Sequence, residues 1–305
     1  MYFKNAIAFP FRGEISLDEL EEKLLTRRFA SCGSHDAESY GWTPAHDGRL
    51  VYPVGFIWMI ALKVQRKLWM IALKVQRKLL PGAVIRQHVE KLAAKIEEEQ
   101  GHKPGRAQRK ELKEQALLEL LPKAFVRDAV TYAYIDPNAK LLVIDASTVN
   151  KSDDVVSMLI QCGVDIGLRK MHFGISPSSF MSSLLAGEAG DEWSTGKDCD
   201  LKEAGEGGEL RYRHLNFEGI EEHLAAGKLP VKLAVTYEDR ISFTLTEAGH
   251  LKRIKILDLA TEAAQGADEA FDGEAAVNAA EITRAIQALR HALNDKDEKD
   301  ENGQA

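Results

Sequence analysis

Residues 58–68 and 69–79 carry the same eleven amino acids, WMIALKVQRKL, in immediate succession. A direct repeat of this length narrows what the chain can build. Two short copies cannot stack a core between them, so a solenoid is excluded. Eleven residues are close to three helical turns, and a helix would absorb the extra copy in register. A strand would not, because an odd shift exchanges its two faces. The repeat therefore reads as a recent duplication, or an artefact of the coding sequence, rather than a functional array. Its effect on charge is still real. The Lys-x-x-Arg-Lys cluster occurs once as Lys63, Arg66 and Lys67 and again as Lys74, Arg77 and Lys78.

That cluster opens a wider polarity. The 305-residue chain has a formal net charge of −7, which by itself argues against a nucleic-acid partner. Residues 62–113, however, hold 14 Lys or Arg against five Glu, while residues 258–305 hold 12 acids against four bases. Such regional polarity, not the sum, steers an anionic ligand. A hydrophobic share of 45% is enough for a core. The three cysteines, Cys32, Cys162 and Cys199, are widely spaced and odd in number, which fits a reducing cytoplasm rather than a disulfide framework. The N-terminal residues show no apolar targeting segment. The apolar run 54–62 is too short to span a bilayer.

Hydrophobic periodicity predicts strands over 2–9 and 56–62 and a helix after Ser16-Leu17-Asp18-Glu19, a capping-box pattern with Leu17, Leu20, Leu24 and Leu25 on one face. Residues 32–47 read as a polar loop punctuated by Gly33, Gly41 and Pro44. Val84, His88, Leu92 and Ile96 give a helical stripe up to Glu99, and a second helix is expected over 106–120 after Gly101, Pro104 and Gly105. These two basic helices form a candidate hairpin. A β-hairpin is expected over 126–135 and 140–144 about Asp136-Pro137-Asn138. Helices are read at 152–162, from Ser176-Pro177 to Leu185, and over 218–226; residues 187–208 read as a loop. A strand at 211–217 and a meander over 228–237, 240–246 and 251–257 follow. Residues 260–274 read as an acidic linker, 279–293 as an amphipathic helix and 294–305 as a disordered tail. Helices and strands do not alternate strictly. The expected class is α+β, with antiparallel sheets and a basic helical hairpin. The expected domains are a central sheet region over 1–80 and 121–175, the hairpin over 81–120, a second α+β region over 176–258, and a terminal region over 259–305.

No phosphate loop, dinucleotide fingerprint, HExxH or GxSxG pattern occurs in the sequence. Cys32-Gly33-Ser34-His35 offers two zinc ligands without a second pair at partner spacing, so a solvated loop is the plainer reading. His88 lies on an apolar stripe, where a boundary histidine is commoner than a ligand. Asp145, Asp153 and Asp154 raise a metal-dependent nuclease as an alternative. Asp153 and Asp154, however, fall in an expected first helical turn, where acids complement the dipole. Cationic helix faces often serve only solubility, but the local surplus also makes Lys74, Arg77, Lys78 and Arg86 candidate phosphate contacts. With no recognition-helix or zinc-finger pattern, contacts of that kind would be independent of base sequence. A basic scaffold for an acidic protein partner is the third reading.

Several blocks in series resemble one family. Cys32-Gly33-Ser34 with Gly41-Trp42-Thr43-Pro44, and Leu79-Leu80-Pro81-Gly82-Ala83-Val84-Ile85, are two of them. Leu121-Pro122-Lys123-Ala124-Phe125, and Ile220 to Lys228 with Lys232-Leu233-Ala234, are two more. Ser242-Phe243-Thr244-Leu245 with Leu251 to Lys255, and Ala270-Phe271-Asp272, complete the series. In this order they resemble the RdgC family of bacterial recombination-associated DNA-binding proteins. The resemblance implies a non-enzymatic α+β protein that forms a ring-shaped homodimer. That ring would enclose duplex DNA without sequence preference and show functional antagonism with RecA. It implies a nucleoid-associated cytoplasmic location, no cofactor, no metal and no membrane contact. By the same resemblance, Lys123 and Lys232 face DNA, and Lys103 and Arg106 lie on the basic helices near a subunit contact. Phe125 closes that contact. The partner positions for the aromatic, often Lys-Gln-Asp in the family, read His214-Leu215-Asn216 here. The second eleven-residue copy and the region 163–210 depart from the family pattern.

Overall fold

The computed structural model describes residues 3–54, 68–203, 209–212, 219–257 and 270–293. The chain is α+β, and the pairings between its strands are antiparallel. It divides into two compact units. One comprises residues 1–23, 44–71 and 131–305, the other residues 24–43 and 72–130.

The larger unit begins with β1 (Asn5–Pro10) and most of α1 (Leu17–Leu25). Ser16 caps α1 as its spacing predicts, its hydroxyl accepting the Glu19 N–H at 3.1 Å. β3 (Tyr52–Val54) pairs with the first residues of β4 (Leu68–Leu79). The end of β5 (Phe125–Asp136) turns into β6 (Leu141–Ile144) as a hairpin. Asp136 makes that turn, because its carboxylate accepts the N–H groups of Asn138 and Ala139 at 3.0 and 2.8 Å. α4 (Val149–Gln161) and α5 (Pro177–Leu185) follow, the latter capped by Ser176. Then come β7 (Trp193–Lys202), β8 (Glu209–Tyr212), α6 (Ile220–Ala225) and the meander β9 (Leu229–Tyr237), β10 (Ile241–Thr246) and β11 (Leu251–Ile256). The strand order is β6-β1-β11-β10-β9-β7-β8. α7 (Ala270–Ala292) closes the unit.

The meander shows why it folds. Leu233, Val235, Ile241, Phe243 and Leu245 are buried and alternate with less buried neighbours. Each such side chain contributes roughly 1.5–3 kcal/mol by leaving water. Trp193 packs edge-on against Phe180 at 5.4 Å and lies 4.6 Å from Tyr237. Tyr134 spends its hydroxyl on α7, at 2.9 Å from Thr283 Oγ1 and 3.2 Å from the Ala279 carbonyl. Arg240 Nε donates to both oxygens of the buried Glu281, at 3.0 and 3.1 Å. Hydrogen bonding to that carboxylate pushes the Arg240 pKa up.

In the smaller unit, β2 (Glu38–Thr43) pairs with residues 72–77 of β4, and the strand order continues to β5. α2 (Gly82–Gln100) and α3 (Arg106–Leu120) form the expected helical hairpin. Gly101 ends α2 at φ 71°, its N–H reaching the Glu97 carbonyl.

Three expectations change, and the second repeat copy, to which the sequence assigned no element, is strand β4. The loop expected over 32–47 contains β2. Gly41 is not a turn residue: a Cβ there would lie 2.3 Å from Phe29 Cα, so glycine permits a close backbone approach. The loop expected over 187–208 contains β7. α7 starts at Ala270, nine residues before the amphipathic stripe suggests, and takes in the end of the expected linker. The strand expected at 56–62 and the tail over 294–305 lie outside the described residues. Among the described residues no helix is long and apolar enough to cross a membrane.

Candidate nucleic-acid interface

The basic positions proposed from sequence fall into two groups. The first group is used internally. Lys74 Nζ sits 2.7 Å from Asp128 Oδ2 and 4.6 Å above the Phe29 ring. Arg77 donates to Glu38 and to the Tyr40 hydroxyl, each at 3.0 Å. Lys78 donates to the Gly33 carbonyl at 2.7 Å and to that of Ser34. Arg77 and Lys78 thus fasten β2 and the 33–34 loop to the strand, while Lys74 ties it to β5. The carboxyl of Asp128 is held below its ordinary range by its Lys74 partner and by the Gln76 amide. The hydrogen bonds that Arg77 donates to Tyr40 and Glu38 raise its pKa. Gln76, which the sequence did not single out, is the hub. Its oxygen accepts the Cys32 N–H at 2.8 Å and its amide donates to Asp128 at 2.8 Å.

Lys232 on β9 belongs to the same group. It pairs across the sheet with Asp200 of β7, Nζ to Oδ2 at 2.7 Å. Asp200 is 1% exposed and Lys232 39%. No local sequence signal marks this acid, whose partner lies 32 residues further on.

The second group faces solvent. Arg86 on α2, Lys103 in the inter-helix connection, Arg106 at the start of α3 and Lys123 after its end are all exposed. Among the described residues none of these four is in an ion pair within 4.0 Å. The hairpin that carries them is tied by other charges: His88 Nε2 lies 2.7 Å from Glu119, and Arg109 3.1 Å from Glu90. His88 is thus a boundary residue with a structural partner. Its contact, then that of Gln115, keeps the Glu119 carboxyl low. Ala93 is the one buried residue of α2, and Leu112 and Ala116 are those of α3.

A single 3₁₀ turn, Leu121–Lys123, stops α3 and delivers the chain into β5 at Phe125. Phe125 is 84% exposed, and Val126 and Val130 on the same strand are exposed with it. A phenyl ring in this position is no part of a core. His214 and Leu215, the positions proposed to receive it, lie outside the described residues.

The acids raised for nuclease chemistry are scattered by role. Asp145 accepts the Asn5 N–H at 2.9 Å, and burial raises its pKa. α4 begins at Val149, so Asp153 and Asp154 fall in its second turn, not the first. Cys32 anchors its loop, its thiol donating to the Gln76 carbonyl at 3.4 Å. Among the described residues no three His, Cys, Asp or Glu side chains are grouped to hold a metal ion.

Comparison with known proteins bears on this arrangement. Residues 1–296 match the family model described as "Putative exonuclease, RdgC". The chain is 39% identical to the recombination-associated protein RdgC of Dechloromonas aromatica, over 96% of its own length and 97% of that protein. It is 38% identical to the protein of the same name from Herminiimonas arsenicoxydans, covering 98% and 100% respectively. A third such protein, from Cupriavidus necator, is 36% identical over 96% and 98%. With similarity of this extent running through both compact units, the chain belongs to the RdgC family.

Proposed function

We propose that this protein binds duplex DNA without sequence preference and acts in recombination as a homodimer that closes around the duplex and limits access of RecA. The carrying observation is the exposed, unpaired set Arg86, Lys103, Arg106 and Lys123, with a solvent-facing phenylalanine at the foot of the same hairpin. Cations already satisfied by protein carboxylates have little left for a phosphate. These four do not carry that handicap. Phosphate contacts fix position without reading bases. The recombination association comes from the names of the relatives. On this reading Phe125 forms part of the subunit contact, and the protein works on nucleoid DNA in the cytoplasm with no cofactor.

The description of the family model, an exonuclease, favours a second reading, a nuclease, for which the sequence suggested metal dependence. One experiment separates the two. Supercoiled and linearised plasmid are each incubated with protein and magnesium, then deproteinised, because an exonuclease acts only at an end. Retarded complexes that release both forms intact support binding without cleavage; nicked circles or shortened linear duplex support the nuclease. If the dimer neutralises ~6–10 phosphates, affinity for duplex falls ~10³–10⁵-fold between 50 and 200 mM salt. Affinity flat over that range, or strong preference for one sequence, removes the phosphate-contact reading.

A further inference from the structure

We infer that strand β4 has two interchangeable occupants, and that the chain populates two strand registers eleven residues apart. In the structure β4 is Leu68–Leu79. Shifted back by eleven, the window 57–68 reads IWMIALKVQRKL against LWMIALKVQRKL. Eleven of the twelve positions are identical. The twelfth exchanges Leu68 for Ile57, a volume-conserving swap. Every pairing of β4 therefore has a duplicate. Tyr40 opposite Val75 becomes Tyr40 opposite Val64, and Trp42 opposite Leu73 becomes Trp42 opposite Leu62. Lys63, Arg66 and Lys67 inherit the acceptors of Lys74, Arg77 and Lys78.

Replacing one copy by the other differs from sliding a strand. A slide by one residue turns the inward set outward, and every intermediate register places wrong residues in the core. Substitution by an identical copy keeps each side chain on its face. The two registers are thus discrete states of closely matched packing.

The connections match as well. At present residues 55–67 join β3 to β4, and residues 80–81 join β4 to α2, lengths of thirteen and two. In the other register residues 55–56 join β3 to the strand and residues 69–81 join it to α2, lengths of two and thirteen. Loop closure costs depend on length only logarithmically. Here the two lengths merely change places. The short connection then becomes Gly55-Phe56 between paired Val54 and Ile57, and glycine at the first of two loop residues suits a type II′ hairpin. The register also decides where the spare Lys-x-x-Arg-Lys cluster lies: before β4, or directly ahead of the cationic hairpin.

Two measurements test this on the full chain. In a Cys32→Ser background, the pairs Tyr40→Cys/Val75→Cys and Tyr40→Cys/Val64→Cys are oxidised under native conditions. Cross-strand partners lie within disulfide reach, and residues eleven positions away on an extended strand do not. Both pairs are expected to cross-link, with yields within about tenfold of each other; linkage of 40 to 75 alone overturns the inference. Independently, Ile71→Asp places a carboxylate at a fully buried β4 position. Ile71→Asp and Ile60→Asp are each expected to melt cooperatively within a few degrees of the parent, because the intact copy takes the strand. The double variant is expected not to fold. An Ile71→Asp protein as unfolded as the double variant overturns the inference.

Discussion

Phe125 and Lys232 reverse the usual relation between residue type and place. An aromatic residue just past a proline-terminated helix is ordinarily core, yet Phe125 stands 84% exposed. Phe125→Ala should therefore leave folding intact, within about 0.5 kcal/mol, where a core phenylalanine would cost about 3–5 kcal/mol. If the ring forms a subunit contact, the variant remains dimeric by sedimentation but leaves circular DNA faster than the parent. A marked fall in melting temperature with unchanged release from circles would contradict that assignment. Lysine, in turn, is ordinarily a surface charge, but Lys232 compensates a buried Asp200. Lys232→Glu sets a second carboxylate against the first, and we expect a loss of about 1–3 kcal/mol in denaturant unfolding. Weakened DNA binding in that variant would then report folding as much as contact. Lys123→Glu has no such complication. It should melt like the parent, bind all duplexes less tightly, and lower the salt slope by about one unit.

At the scale of elements, the repeat gives the clearest prediction. Removing residues 69–79 or residues 58–68 yields the same polypeptide, since the copies are identical. One strand's worth of sequence remains, followed directly by Leu80-Pro81 and α2. The shortened protein should fold, with a melting temperature at least equal to that of the parent. A marked drop would mean that both copies contribute to the core. The element pattern itself was legible wherever periodicity or a cap spoke locally. Ser16, Ser176, the Asp136 turn, the two-helix hairpin and the three-strand meander all follow from short-range signals. β2 and β7 were not legible because their defining contacts are remote. Gly41 answers to Phe29 across the backbone, and Trp193 to Phe180, Tyr237 and Phe243. The same limit applies at the candidate site. The cations could be counted from sequence, but which were already spent on Glu38, Asp128 or Asp200 depended on pairings 32 to 54 residues away.

Across the whole molecule, burial is distributed very unevenly. The central strands β1 and β6 and the helix α7 are rich in fully covered residues, whereas α2 contributes only Ala93 and α3 only Leu112 and Ala116. Local opening costs least where little apolar surface must be exposed. The hairpin should accordingly behave as a separate cooperative segment that unfolds while the remainder stays native. In amide hydrogen exchange, α2 and α3 should lose protection at least roughly tenfold sooner than β1, β6 and α7. Equal protection throughout would refute the division. On this expectation the segment bearing the exposed cations is also less rigid than those three elements. A polyanion that engages it must order it, so added duplex DNA should register first as slowed deuterium uptake along these two helices.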